Sequence, residues 1–138
     1  VIVDAVKAVL LAASLDARIT KPFLSIQTYP EFGDTTRFPC AVVLCESEQL
    51  DKDGQNRSVD GQFSVDIYIT EGRPEYLSSA IQLMVHETRR ALSKDPVLTT
   101  CGVTYSVGQI QYWHGYDENN SPVVRGKFWF LMKYRELR

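Results

Sequence analysis

The sequence predicts an α+β fold: a mainly antiparallel sheet with long hairpins, packed by an N-terminal helix and one long central helix. Three observations carry this. Val59–Ile69 alternates apolar and polar residues without a break, as a strand with one buried face does. Residues 74–94 repeat apolar side chains at helical spacing. The closing segment from about Val123 to Arg135 alternates again.

The elements follow in order. Within residues 1–15, Val3, Val6, Leu10 and Ala13 recur at helical spacing with Asp4 and Lys7 opposite, which predicts a short amphipathic helix. Phe23–Thr28 reads as a strand ended by Tyr29-Pro30, and Glu31–Pro39 as a loop. Ala41–Cys45 is almost wholly apolar, the texture of a strand covered on both faces. Val59–Ile69 puts Val59, Gly61, Phe63, Val65, Ile67 and Ile69 on one face, and Asp60, Gln62, Ser64, Asp66 and Tyr68 on the other. A run of that length exceeds the usual strand of about five or six residues. The intervening Glu46–Ser58 is polar, so the two strands read as an extended hairpin with a solvated tip.

The central helix begins with Pro74 and Glu75, which suit a first turn. Leu77, Ile81, Met84, Val85, Thr88 and Leu92 form its apolar face, and Asp95-Pro96 ends it. Beyond it, Val103, Tyr105 and Val107 alternate, and the phase changes at Gly108 before Ile110 and Tyr112, which predicts a bulge. Asp117–Pro122 is a turn. On the last strand, Phe128, Phe130, Met132 and Tyr134 share one face. Arg125, Lys127, Lys133 and Arg135 share the other, with Trp129 and Leu131 between them.

The whole chain of 138 residues reads as a single domain, 1–138, long enough to bury a core without metals or disulfides. Fifteen Lys and Arg against seventeen Asp and Glu give a net charge of −2. That balance argues against a protein built to wrap nucleic acid or coat an anionic membrane. No apolar run approaches the ~20 residues of a membrane helix. The start has neither the basic region nor the cleavage pattern of a signal peptide. Residue 1 is valine, so the initiating methionine has been removed or the chain begins inside a longer product. Three cysteines, Cys40, Cys45 and Cys101, read as reduced and mostly buried thiols, with Cys40 and Cys45 on opposite strand faces.

Catalytic and metal chemistry find no motif. His86-Glu87 opens like a zinc-protease helix, but Arg90 stands where the second histidine belongs. His86 therefore reads as a helix-surface residue, and His114 as half-buried. Asp51-Lys52-Asp53-Gly54 departs from a calcium loop, because Gly54 comes early and Gln62 replaces the bidentate glutamate. Gly54, Gly61 and Gly72 are isolated and make no phosphate loop. No catalytic residue, cofactor or metal site is assigned. Two features suggest contacts with partners. One is the long hairpin with Asp51, Asp53, Gln55 and Arg57 at its tip, since projecting hairpins commonly pair with or clamp a neighbour. The other is the last strand's outer face with Arg125, Lys127, Trp129 and Arg135, because Trp and Arg are enriched at interfaces. The competing expectation for that face is a solvated surface with one helix across its middle.

The order and texture of these elements resemble the tail-terminator, or tail-completion, proteins of tailed bacteriophages. The resemblance spans nearly the whole chain. It rests on the helix of Val1–Leu15, Phe38-Pro39 leading into Ala41–Cys45, and the alternating Val59–Tyr68. It also rests on the helix ending Arg90–Pro96 and the closing Gly126–Tyr134. The family supplies no motif residue to carry over. The resemblance implies a structural virion protein without catalysis, made in the host cytoplasm and placed at the head-proximal end of the tail. It implies a homo-oligomer, a hexameric ring, that stops the tail tube and meets the head-completion or connector protein. DNA would pass through the bore without sequence-specific binding, which a slightly acidic subunit suits. Two alternatives stay open. One is another head-tail connector, neck or tail-tube-like protein. The other is a small cytosolic ligand-binding domain or enzyme, its pocket between the central helix and the sheet with His114 and Tyr116 at the mouth.

Overall fold

The computed structural model describes residues 2–30, 32, 36–50, 58–70, 74–94, 106–117 and 119–135, without the side chains of Ser58, Pro74, Ser106, Val107 and Arg135. The order is α1 (Ile2–Leu15), β1 (Ser25–Gln27), β2 (Cys40–Leu50), β3 (Ser58–Thr70), α2 (Leu77–Lys94), β4 (Ser106–Tyr116) and β5 (Pro122–Arg135), with a 3-10 turn at Pro74–Tyr76 leading into α2. The α+β class and the mainly antiparallel sheet are as the sequence predicts.

The five strands lie in the order β1-β2-β3-β5-β4. Only β1 and β2 are parallel; every other neighbouring pair is antiparallel. The closing hairpin therefore enters the sheet with its second strand inward, and β4 becomes the edge. Gly126 on β5 lies under α2. A Cβ there would sit 2.6 Å from Val85 Cγ2 and 3.0 Å from Ile81 Cγ1, so a side chain is excluded by the close approach of helix to sheet.

Both helices pack on one face of the sheet. That inner face carries Ala41 and Val43 of β2, Phe63, Val65, Ile67 and Ile69 of β3, and Val124, Phe128, Phe130 and Met132 of β5, all in one core with Val6, Leu10, Ile81, Met84 and Leu92. All six residues predicted for the apolar stripe of α2 are buried, and Ala91 joins them. Helix α1 buries Ile2 and Val9 beside Val6, Leu10 and Ala13. It ends in a Schellman-type turn: Arg18 N–H donates to Ala13 O at 3.0 Å, and Ala17 sits at φ 58°. Glu87 Oε2 on α2 accepts from Thr20 N–H at 2.7 Å and Thr20 Oγ1 at 3.1 Å, which ties the end of α1 to α2.

Several expectations are corrected. The predicted strand Phe23–Thr28 shortens to Ser25–Gln27. The strand Ala41–Cys45 extends to Leu50 across a register shift between Cys45 and Ser47. Glu46 is the extra residue, and a bulge of this kind breaks the alternation that sequence patterning relies on. The predicted bulge at Gly108 is present as a register shift between Val107 and Gln109. Val103 and Tyr105 lie outside the described residues, as do Asp95-Pro96 and the hairpin tip 51–57. Cys40 is buried but Cys45 is exposed, and both are free thiols. His86 is exposed on α2 as expected, whereas His114 is exposed and not half-buried.

Candidate functional site

The outer face of the sheet is built from the residues that alternation points away from the core. They are Ser64, Asp66 and Tyr68 on β3, Arg125, Lys127 and Trp129 on β5, and Gln109, Gln111 and Trp113 on β4. No helix crosses this face among the described residues, so the expectation of one laid over its middle does not hold. Its two halves differ. Beside β1 and β2 it is covered: Phe32 meets the Tyr68 ring edge-on at 4.8 Å and Phe38 at 5.8 Å. Gln27, buried beneath, accepts at Oε1 from Thr36 Oγ1 at 2.8 Å. Beside β4 and β5 the face is open.

At the boundary sits Arg125. Its Nε lies 2.9 Å from both Asp66 oxygens, and its Nη2 2.9 Å from Oδ2. The guanidinium stacks 4.2 Å from the Trp113 ring and 5.6 Å from that of Tyr68. Hydrogen bonding to Asp66 raises the Arg125 pKa further above its ordinary value. Burial, then the Asp66 charge, pushes the Tyr68 hydroxyl up to about 12. The same two causes push the Cys40 thiol up to about 11.

One step along β5, Lys127 Nζ lies 3.1 Å from Glu46 Oε1 and 4.9 Å from the centre of the Trp129 ring. Ser64 Oγ donates to the same carboxylate oxygen at 2.7 Å. The Ser64 hydrogen bond, then Lys127, holds the Glu46 carboxyl below its usual range. Glu46 lies at the bulge on the same side as Val42 and Leu44, which pair with Asp66 and Ser64. Toward the hairpin tip the face opens into a shallow trough of about 430 Å³, lined by Ser47, Gln49, Asp60, Gln62, Leu131 and Lys133 among others.

Of the residues the sequence singled out, Arg125, Lys127 and Trp129 come together on this face, each cation bound to a carboxylate and lying on an indole. Arg135 stands on the same strand, opposite Ser58 in the β3–β5 ladder. Asp51, Asp53, Gln55 and Arg57 lie outside the described residues. Sequence reasoning missed Trp113 and Glu46. Trp113 had a legible signal, since it alternates outward with Gln109 and Gln111. Glu46 continues the side of Val42 and Leu44, but the wholly apolar run Ala41–Cys45 does not show which of its sides faces outward.

The site imagined for a small ligand is also identifiable. Leu77, His114, Tyr116 and Val124 line a hollow of about 180 Å³ between the start of α2 and the end of the β4–β5 hairpin. That is below the ~300 Å³ at which small-molecule sites usually begin. Among the described residues no group of three or more His, Cys, Asp or Glu is placed to hold a metal ion. No described helix is long and apolar enough to cross a membrane. No family model matches the chain, and no curated protein matches it.

Proposed function

We propose that this chain is a structural subunit of a ring that caps a phage tail tube and joins it to the head connector, as the resemblance to tail-terminator proteins implies. The observation that carries the proposal is the open half of the sheet's outer face, with Trp113, Trp129 and Leu131 displayed on a cross-linked polar surface. Trp113 is 39% and Leu131 51% exposed. Exposed aromatic and apolar groups held on a rigid, broad face suit a protein that meets large neighbours. A 180 Å³ hollow suits a small-molecule site poorly.

In this reading Arg125 and Lys127 stiffen the surface on which Trp129 meets a neighbouring subunit, with Arg135 farther along the strand. The hairpin tip with Asp51, Asp53, Gln55 and Arg57 reaches a second subunit or the tube. The carboxylates of Asp66 and Glu46 already neutralise two cations of β5. A subunit with a net charge of −2 offers little to hold phosphate, and DNA in the bore slides without sequence-specific binding. The place of action is the head-proximal end of the tail, in the virion.

The test is electron microscopy and native mass spectrometry of the purified chain, alone and with tail-tube protein. Rings seated on tube ends are expected. A stable monomer that leaves tube growth unaltered would falsify the proposal. Deleting Leu50–Asn56 is expected to weaken capping, and unchanged capping removes the role given to the tip.

A further inference from the structure

Two sheet edges are open among the described residues. β4 pairs with β5 on one side only, so a row of its backbone groups turns outward. β1 covers β2 only at Cys40–Val42, leaving Val43–Leu50 without a strand on the side away from β3. Long open edges invite strand addition, and proteins that avoid it place charges or prolines there. Gln109–Tyr116 contains no Lys, Arg, Asp, Glu or Pro, whereas the free stretch of β2 carries Glu46, Glu48 and the bulge between Cys45 and Ser47, so that its regular open ladder is Ser47–Leu50.

We infer that β4 of one copy pairs antiparallel with the Val43–Leu50 edge of β2 in the next copy, so that one sheet runs from subunit to subunit. The strand directions permit it. β2 and β5 run one way, β3 and β4 the other. Copies in the same orientation therefore bring β4 beside a neighbour's β2 in antiparallel sense. On the outer face Gln109 and Gln111 meet Gln49 and Ser47, polar against polar, and the same register sets Ile110 beside Glu48 on the inner face. A two-fold β4–β4 contact leaves the β2 edge open in both copies. A two-fold β2–β2 contact sets Glu48 of both copies on one face, where like charges repel. Only the head-to-tail contact satisfies both edges, and a contact of that kind closes into a ring when its rotation permits. The inference rests on the edges and stands apart from the assignment to a phage tail.

Cysteine cross-linking tests it. In a Cys45→Ser, Cys101→Ser background, Gln109→Cys or Gln111→Cys is combined with Ser47→Cys or Gln49→Cys, and each chain is treated with a mild oxidant. Covalent ladders are expected from at least one doubly substituted chain, and no covalent dimer from a chain with a β4 cysteine alone. A dimer from Gln111→Cys alone overturns the inference in favour of a two-fold contact. Absence of a ladder from all four pairings overturns it as well. As a second readout, Gln111→Lys with Gln49→Lys is expected to shift native mass spectra toward monomer, with circular dichroism unchanged. Failure of the ladder with tube capping intact leaves the proposed function standing, and the reverse result leaves the edge pairing standing.

Discussion

Arg125 and Asp66 are not opposite each other in the β3–β5 ladder, yet they make the closest cation–carboxylate contact on the sheet's outer face. Register sets Asp66 against Lys127 and Tyr68 against Arg125. The guanidinium crosses diagonally to put Nε 2.9 Å from both carboxylate oxygens, and Lys127 turns instead to Glu46 on β2. The diagonal frees Arg125 to lie on Trp113, so one side chain links β3, β5 and β4. Long side chains reach such diagonal partners, and guanidinium stacks well on an indole.

Arg125→Ala leaves the Asp66 carboxylate, whose side chain is 8% exposed, without its cation. The expected loss is about 2–3 kcal/mol, read as a lower urea midpoint at unchanged m-value. Arg125→Lys is expected to recover only part of it, because an ammonium supplies neither the fork nor the flat stack.

Gly126→Ala drives a methyl group into Val85 and Ile81. The expected cost is about 1–3 kcal/mol, the range for overfilled cores. Gly115 is the control, since a Cβ there meets nothing within 4 Å. Thermal unfolding of the two alanine variants separates them: Gly115→Ala is expected to stay within about 0.5 kcal/mol of the parent.

Ala17 holds a left-handed conformation that costs an L-residue roughly 1–2 kcal/mol. Ala17→Gly removes that strain and gives back part of the gain as unfolded-chain entropy. A net stabilisation of about 0.5–1 kcal/mol is expected from urea titration.

The buried Cys40 thiol loses its proton near pH 11 in the folded chain, against 9.0 for an ordinary cysteine. The native state therefore holds a proton that the unfolded state releases. The contribution of this thiol is constant well below pH 9, and stability falls as pH climbs from there toward 11, by ~2–3 kcal/mol for a shift of this size. Tyr68 adds to the decline at still higher pH by the same sign. Urea midpoints at about pH 8 and about pH 10.5 are expected to differ less in Cys40→Ala than in the parent.

What could be read from the sequence divides along physical lines. Period-two and period-3.6 patterning report which side of an element is dry, so the faces of β3 and the stripe of α2 were legible. The glycine at a phase change located the bulge of β4. The outer half of β2 was not legible, because Glu46–Leu50 is exposed on both faces and no alternation survives there. Strand order was not legible either, since the placement of β5 between β3 and β4 depends on contacts far apart in the chain. The grouping of Arg125, Lys127 and Trp129 on one face followed from alternation. Their carboxylate partners did not, because one is diagonal and the other follows an apolar run that does not show which of its sides faces outward.

The brevity of β1 has a geometric consequence for any neighbour. Its three residues occupy the β2 edge at the level where β5 carries Arg125 and β4 carries Trp113. The free stretch of β2 therefore lies toward one end of the sheet, level with Ser106–Ile110, while Gln111–Tyr116 of β4 lies toward the other. Full pairing between copies requires each to slide along the strand axis by several residues, on the order of 20 Å. Closed sheets need such a slide, because tilt and stagger set the girth of a barrel. A strand of three residues thereby acts as a spacer that sets the stagger between copies, and with it the tilt of the strands against the axis of a closed ring.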